Sequence, residues 1–442
     1  MRQPTLAAAQ VQQSPAPSGP HSLQNGPIGH RDSGSQPPLP HKVHPGRSVV
    51  GPCAQKLSFI HAPELPLPYR LPWQEFPGEA LETIRVTTPR TFRCLIGSEA
   101  RRQLEASGCS PDAFRLLLAA SGGPRWLGLV GIDRALTRFL RGRSPQAPRL
   151  PLLGSSSGAW RVAAMSVDDD GTAYDELEEE YISQRYEGKP KPDFVSAHCR
   201  QYLTRIFTPE RLEHAIHRSP FQMNFSTAIF RRERLSKARM IAAIAGLPFL
   251  NAVDRRWMGY LVQRGLFTAG HGPEDSPLKG QPAWDNYPTR TIPLDATNFV
   301  PGLLASGSIP FVLAGESAIP GAGRGHHVDG GLLDYHFEVE TGGPVLYPHF
   351  SADPLPGWMD RFPPYRRLSR SARSHLCLIL PSDEQLSHYP GNFYPGRVDF
   401  YQHSNDERIA RWRATVKANG PLEKELAACL EAGDLLKVSE PF

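Results

Sequence analysis

The tightest constraint on this chain is a five-residue run, Gly154-Ser155-Ser156-Ser157-Gly158. It is wedged between Leu150-Pro151-Leu152-Leu153 and Ala159-Trp160-Arg161-Val162-Ala163-Ala164-Met165. The apolar stretch before it reads as a short buried strand, and the alanine-rich stretch after it reads as a helix. A chain that turns so abruptly from strand to helix brings backbone against backbone, and glycine on each side removes the Cβ that would clash. The composition alone would suit a flexible linker. Tight apolar flanks on both sides argue instead for a sharp turn that presents Ser156 at its tip.

A second turn of the same kind lies upstream. Phe114-Arg115-Leu116-Leu117-Leu118-Ala119-Ala120 is strand-like, Ser121-Gly122-Gly123-Pro124-Arg125 follows, and Leu127 to Leu140 has helical spacing. A glycine pair between strand and helix directs N–H groups outward at a helix start, where they can hold an anion or a developing oxyanion. Pro124 has no N–H, so Gly122 and Gly123 are the candidate donors. The dinucleotide pattern G-x-G-x-x-G and the G-K-[ST] of a P-loop are both absent here.

The third motif is His326-His327-Val328-Asp329-Gly330-Gly331. Asp-Gly is a common turn signal. It is also a way to put a carboxylate at a strand end. A carboxylate is a poor base for a serine hydroxyl unless it is desolvated and held within hydrogen-bond reach.

In order and spacing these motifs resemble the patatin-like phospholipases, whose pattern is a glycine-rich G-G-G-x-[RK]-G cradle, a G-x-S-x-G elbow and a D-G-[GA] aspartate. Leu304-Ala305-Ser306-Gly307-Ser308-Ile309-Pro310-Phe311 resembles the A-S-x-[AS]-x-P segment that precedes the aspartate in that family. The resemblance runs from about Phe114 to Asp334. It implies Ser156 as nucleophile, Asp329 as general base, Gly122 and Gly123 as oxyanion donors, and Arg125, Gly154, Gly158 and Gly330 as supporting residues. It further implies a Ser–Asp dyad with no histidine, no metal and no cofactor, acting on a phospholipid, lysophospholipid or other lipid ester. Two positions depart from the pattern. Ser121 replaces the first cradle glycine but keeps its N–H, and the bulkier Trp126 replaces the last, which would reshape the acyl entrance. Arg125 is expected to steady the loop by bonding carbonyls, with contact to a phosphate as the other role.

From about Leu81 strand-like runs alternate with helical ones. Strands are expected at Thr91 to Ile96, Leu150 to Leu153, Gln222 to Ile229, Thr291 to Phe299 and Leu376 to Leu380. Helices are expected at Asp133 to Arg141, Tyr174 to Tyr186, Cys199 to Phe207, Arg232 to Ile244 and Asp406 to Ala418. That alternation predicts an α/β fold with a mostly parallel central sheet and helices on both faces, a three-layer α/β/α sandwich. Its active site should lie at the carboxyl ends of the strands. Residues 81–442 then form the catalytic domain with a C-terminal helical extension. Residues 1–80 are rich in Pro, Gly, Ser and Gln, lack the apolar core of a secretory signal, and read as largely disordered.

Bulk properties narrow the function. Hydrophobic residues make up 40%, and the longest apolar stretch, Met240 to Val253, falls short of the ~20 residues that cross a bilayer. Six scattered cysteines with no C-x-x-C suggest neither zinc nor a disulfide framework. A net charge of +5 is too small to indicate nucleic acid, though it suits an anionic lipid surface. A cytoplasmic or peripheral membrane location follows, with non-classical secretion left open. Asp168-Asp169-Asp170-Gly171 fails as a calcium loop, because Ser166 and Leu177 fall where Asp and Glu are required. The run from Arg361 to Arg373 reads as a solvated loop.

The reading is a serine acyl hydrolase. An acyltransferase with the same dyad, an α/β-hydrolase triad using His336, His349, His375, His388 or His403, and an inactive lipid-binding module stay open.

Overall fold

A computed structural model describes residues 90–231, 237–270, 287–361 and 365–442, all within the compact unit Glu82–Phe442. The expectation for residues 1–80 lies outside the described residues. Eleven strands build one sheet: β1 (Phe92–Ile96), β2 (Leu116–Ala119), β3 (Leu150–Ser155), β4 (Phe221–Phe230), β5 (Val262–Thr268), β6 (Thr289–Pro293), β7 (Glu316–Ser317), β8 (His326–Asp329), β9 (Val345–Pro348), β10 (Leu376–Pro381) and β11 (Ser439–Pro441). Their order is β11-β1-β10-β9-β2-β3-β4-β5-β6, with β8 paired to β4 and β7 paired to β8. The run β10-β9-β2-β3-β4 is parallel throughout. Antiparallel pairs join β1 to β10, β4 to β5 and β4 to β8. The fold is thus α/β with a mostly parallel sheet.

The helices that bear on the site are α1 (Ser98–Ser107), α2 (Val130–Arg141), α3 (Ser157–Ser166), α4 (Thr172–Ser183), α5 (Pro192–Ile206), α6 (Pro209–His217), α7 (Lys237–Val253) and α8 (Phe299–Ser306). All four residues of β2 are buried, as expected of a strand covered on both faces. Leu117 and Ala119 join the core formed with α2, α3, α4, α5 and α8. Leu116 and Leu118 point the other way, onto Phe337, Val339, Tyr347 and Leu368. The stretch after β8 contributes Phe337 and Val339 to that second face. Helix α7 packs over its end, where Leu247 meets Ala228 and Phe230 of β4, Val262 of β5 and Val328 of β8.

Two expected elements differ in extent. The run Thr291 to Phe299 is not one strand: β6 stops at Pro293 and Phe299 opens α8. Asp295 causes the break, since its side chain accepts from the Thr297 and Asn298 N–H groups and closes a turn between them. Met240 to Val253 is the body of α7, which carries Pro248 inside it.

Behind the elbow lies a buried ion pair. Arg161 on α3 donates to both carboxylate oxygens of Asp133 on α2, at 2.7 and 2.6 Å, and Tyr174 of α4 donates to the same carboxylate. Both side chains of the pair are withdrawn from solvent. Three helices are thereby fixed to one another under the serine turn.

Candidate active site

Strand β4 positions the site. Its Ser226 pairs with Ser155, the last residue of β3, and its next residue, Thr227, pairs with Asp329, the last residue of β8. Strands β3 and β8 therefore meet end to end along one edge of β4. The residue that follows Ser155 and the residue that ends β8 must come together there.

They do. Ser156 Oγ donates a hydrogen bond to Asp329 Oδ2 at 2.6 Å. Ser156 sits between β3 and α3 with φ 54° and ψ −130°, a conformation that a serine adopts only under constraint. The flanking glycines impose it. A Cβ on Gly154 would lie 2.3 Å from the Gly158 carbonyl oxygen, and one on Gly158 would lie 2.1 Å from the carbonyl oxygen of Ala119 in β2. Gly330 is held the same way, 2.2 Å from the Ser226 carbonyl oxygen for an added Cβ. The turn, the strand beside it and the Asp-Gly-Gly loop are packed backbone on backbone.

Asp329 is fixed from three directions. Its N–H donates to the Ser308 carbonyl at 2.9 Å, the Gly331 N–H donates to its Oδ1 at 2.7 Å, and Ser156 donates to its other oxygen. Burial pushes its pKa up to about 6, against the opposing pull of the Ser156 hydroxyl, the Gly331 N–H and the more distant Arg397 charge. Such a carboxylate is a far better proton acceptor than a solvated one.

The glycine loop adjoins the elbow, because β2 pairs with β3 through Ala119 and Gly154. Ser121 shares a hydrogen bond of 2.7 Å with the Ser155 hydroxyl, which also donates to the Asp334 carbonyl. The Gly122 and Gly123 N–H groups have no acceptor among the described residues. Gly123 has φ +55°, in the left-handed region.

Three expectations about this loop need correction. The Ser121 N–H is not free for an oxyanion: it donates to the Tyr335 carbonyl at 3.1 Å, and the serine serves as a brace. Trp126 lines no entrance. It is buried in the core against the edges of Tyr174 and Tyr181. Arg125 bonds no loop carbonyl; its guanidinium lies over the Phe350 ring and reaches only the Tyr335 hydroxyl, at 3.5 Å.

Ser306 and Ser308, from the segment that resembles the family's A-S-x-[AS]-x-P, and Arg397, which no motif contains, complete the site. The Ser156 N–H donates to Ser306 Oγ at 3.0 Å, and Ser306 in turn donates to the Ser226 carbonyl. Ser306 and Ser308 thus hold the backbones of Ser156 and Asp329 respectively. Arg397 lays its side chain against Gly123 and forms no ion pair with a described residue. The nearby Asp399 carboxylate is occupied by the Trp412 indole and the Gly396 N–H.

No histidine hydrogen-bonds to Ser156 or Asp329 among the described residues. His327, two residues before Asp329, contacts Thr227 Oγ1 at 3.0 Å, and burial lowers its pKa to about 3. His336 and His349 accept backbone N–H bonds in the core, from Leu355 and Ser351. Among the described residues no group of three His, Cys, Asp or Glu side chains could hold a metal ion. Asp168 accepts from the N–H groups of Gly171 and Ala173 at the start of α4.

No protein-family model matches the chain, and no curated protein matches it.

Proposed function

We propose that the protein is a serine acyl hydrolase that cleaves lipid esters through a Ser156–Asp329 dyad, as its resemblance to the patatin-like phospholipases implies. The observation that carries this reading is the 2.6 Å bond from a strained serine to a buried carboxylate whose pKa is raised to about 6. Asp329 takes the Ser156 proton as Oγ attacks the ester carbonyl. The negative charge that develops on the carbonyl oxygen is met by the free N–H groups of Gly122 and Gly123. The alcohol leaves with the proton held by Asp329, and an acyl-serine remains. Water then attacks, Asp329 accepting its proton and returning it to Ser156 Oγ as the acyl–Oγ bond breaks, and the acid departs. No histidine is needed, since one carboxylate serves both half-reactions.

Fluorophosphonate labelling tests the nucleophile. The wild-type protein should be labelled at Ser156 and should hydrolyse p-nitrophenyl esters. Ser156→Ala should lose the label and about a million-fold of turnover. Label on another serine, or turnover that survives in Ser156→Ala, refutes the assignment.

A further inference from the structure

Two arginines bracket the Gly122–Gly123 loop, and the dyad chemistry uses neither. A Cβ on Gly122 would lie 3.5 Å from the Arg125 Cβ. One on Gly123 would lie 3.5 Å from Arg397 Cγ and 3.8 Å from its Cδ. Arg125 arrives with the loop itself. Arg397 comes from far along the chain, in the segment between β10 and the helix Asn405–Ala418.

The turn that carries Arg397 is closed twice. The Asp399 N–H donates to the Gly396 carbonyl at 3.2 Å, and the Gly396 N–H donates to the Asp399 carboxylate at 3.0 Å. Asp399 is anchored in turn by the indole N–H of buried Trp412, at 2.7 Å. The arginine is thus exposed at its tip and held at its root.

Its charge is left uncompensated by a direct partner. Asp399 is the one acidic residue between Glu384 and Asp406, and its carboxylate is occupied as described. Arg397 forms no ion pair with a described residue, and neither does Arg125, which rests over the Phe350 ring at 5.4 Å. The field of Arg397 nevertheless reaches the reacting carboxylate: it lowers the pKa of Asp329 and that of Tyr181. Asp329 itself is bonded to Ser156 and to the Gly331 N–H. A free guanidinium beside unused N–H donors is suited to an anion, because its planar fork matches phosphate and carboxylate oxygens.

Resting on the acyl-ester reading, we infer that Arg397 is a specificity-determining residue. It receives an anionic oxygen group of the ester, a phosphate or a carboxylate, beside the Gly122–Gly123 loop, so that charged esters are preferred to neutral ones. Arg125, on the other flank of the loop, adds to the same positive field.

Two pairs of esters test this on the full chain. Octanoylglycerol phosphate against octanoylglycerol puts the charge on the alcohol; the p-nitrophenyl monoester of glutarate against p-nitrophenyl butyrate puts it on the acid. The wild type should show a higher kcat/KM for the charged member of one pair, which identifies the side that carries the anion, and raised salt should shrink the difference. Arg397→Gln, its fold checked by circular dichroism, should lower that preference about tenfold or more, chiefly through KM. Arg397→Lys should restore part of it, and Arg397→Glu should invert it. A wild type that prefers neither charged ester overturns the inference. So does an Arg397→Gln variant that slows charged and neutral esters equally, since Arg397 would then act only by tuning Asp329. Calorimetric binding of the ether octylglycerol phosphate needs no turnover and separates the two readings. Binding that Arg397→Gln loses, with no ester hydrolysed, sinks the dyad and spares the anion site. Hydrolysis with neither charge preference nor ether binding does the opposite.

Discussion

Asp329 has two opposing demands on it. Its folded pKa, about 6, lies above its ordinary 3.8, so the folded protein holds a proton that the unfolded chain releases more readily. Stability is therefore undiminished below pH ~4, declines as the pH rises toward about 6, and stays reduced above that. The difference corresponds to roughly 3 kcal/mol. Asp329→Asn keeps the shape and an acceptor for the Gly331 N–H but cannot take a proton. It should be nearly as inactive as Ser156→Ala, and at pH 7 more stable than wild type by up to about 3 kcal/mol in urea unfolding. An Asn variant that is active, or that loses stability at pH 7, contradicts the role. The pH–rate profile should rise through a single limb near 6. A histidine base would titrate close by. Temperature separates them: carboxyl ionisation absorbs almost no heat, so a limb that stays in place on warming belongs to Asp329, and one that falls markedly belongs to an imidazole. Ser155 and Ser157 flank the tip without touching Asp329, yet Ser155 braces both Ser121 and Asp334. Of the two, Ser155→Ala should cost more stability.

At the scale of elements, the serine turn is the part most legible in the sequence, because its glycines are demanded by contacts local to β2, β3 and α3. Gly158→Ala would press a methyl group onto the Ala119 carbonyl, a backbone atom with no freedom to yield. We expect a loss of about 1–3 kcal/mol or more in stability and roughly 10²-fold in turnover as the serine shifts from its partners. Gly246→Ala in α7 is the control. Space around it is open, and alanine there should stabilise by ~0.5–1 kcal/mol. A Gly158→Ala variant that matches wild type in melting temperature would mean that the turn is looser than described. The segment holding Ser306 was legible as a motif but its bond to the Ser156 N–H was not, and Arg397 was not legible at all, since each acts through a fold contact far along the chain. Strand β5 was hidden for a related reason. Arg264 and Gly265 break its apolar pattern, and both have long-range causes: Arg264 pairs with buried Asp334, and Gly265 makes room for Thr227 and Ile229 of β4.

For the whole molecule, the alternation of strand and helix sufficed to predict a mostly parallel sheet. It could not reveal that β8 abuts β3 along β4, because no local pattern encodes which distant strands share an edge. The buried Arg161–Asp133 pair is likewise global. Asp133→Ala would leave a guanidinium uncompensated between three helices, and unfolding in urea should register a loss of about 3–5 kcal/mol; a loss under 1 kcal/mol would mean that water reaches the pair. The 173-residue gap between Ser156 and Asp329 has a further consequence, for how activity first arises. During synthesis Ser156 emerges long before Asp329, and the early chain can build β2, β3, α3 and β4 before the proposed dyad exists. On the proposed dyad, activity would begin only when β8 closes onto the free half of β4. Its onset in a refolding experiment therefore reports the completion of one long-range strand pairing, a slow kind of step. A chain cut between the two residues should recover hydrolysis only when its pieces rejoin along β4.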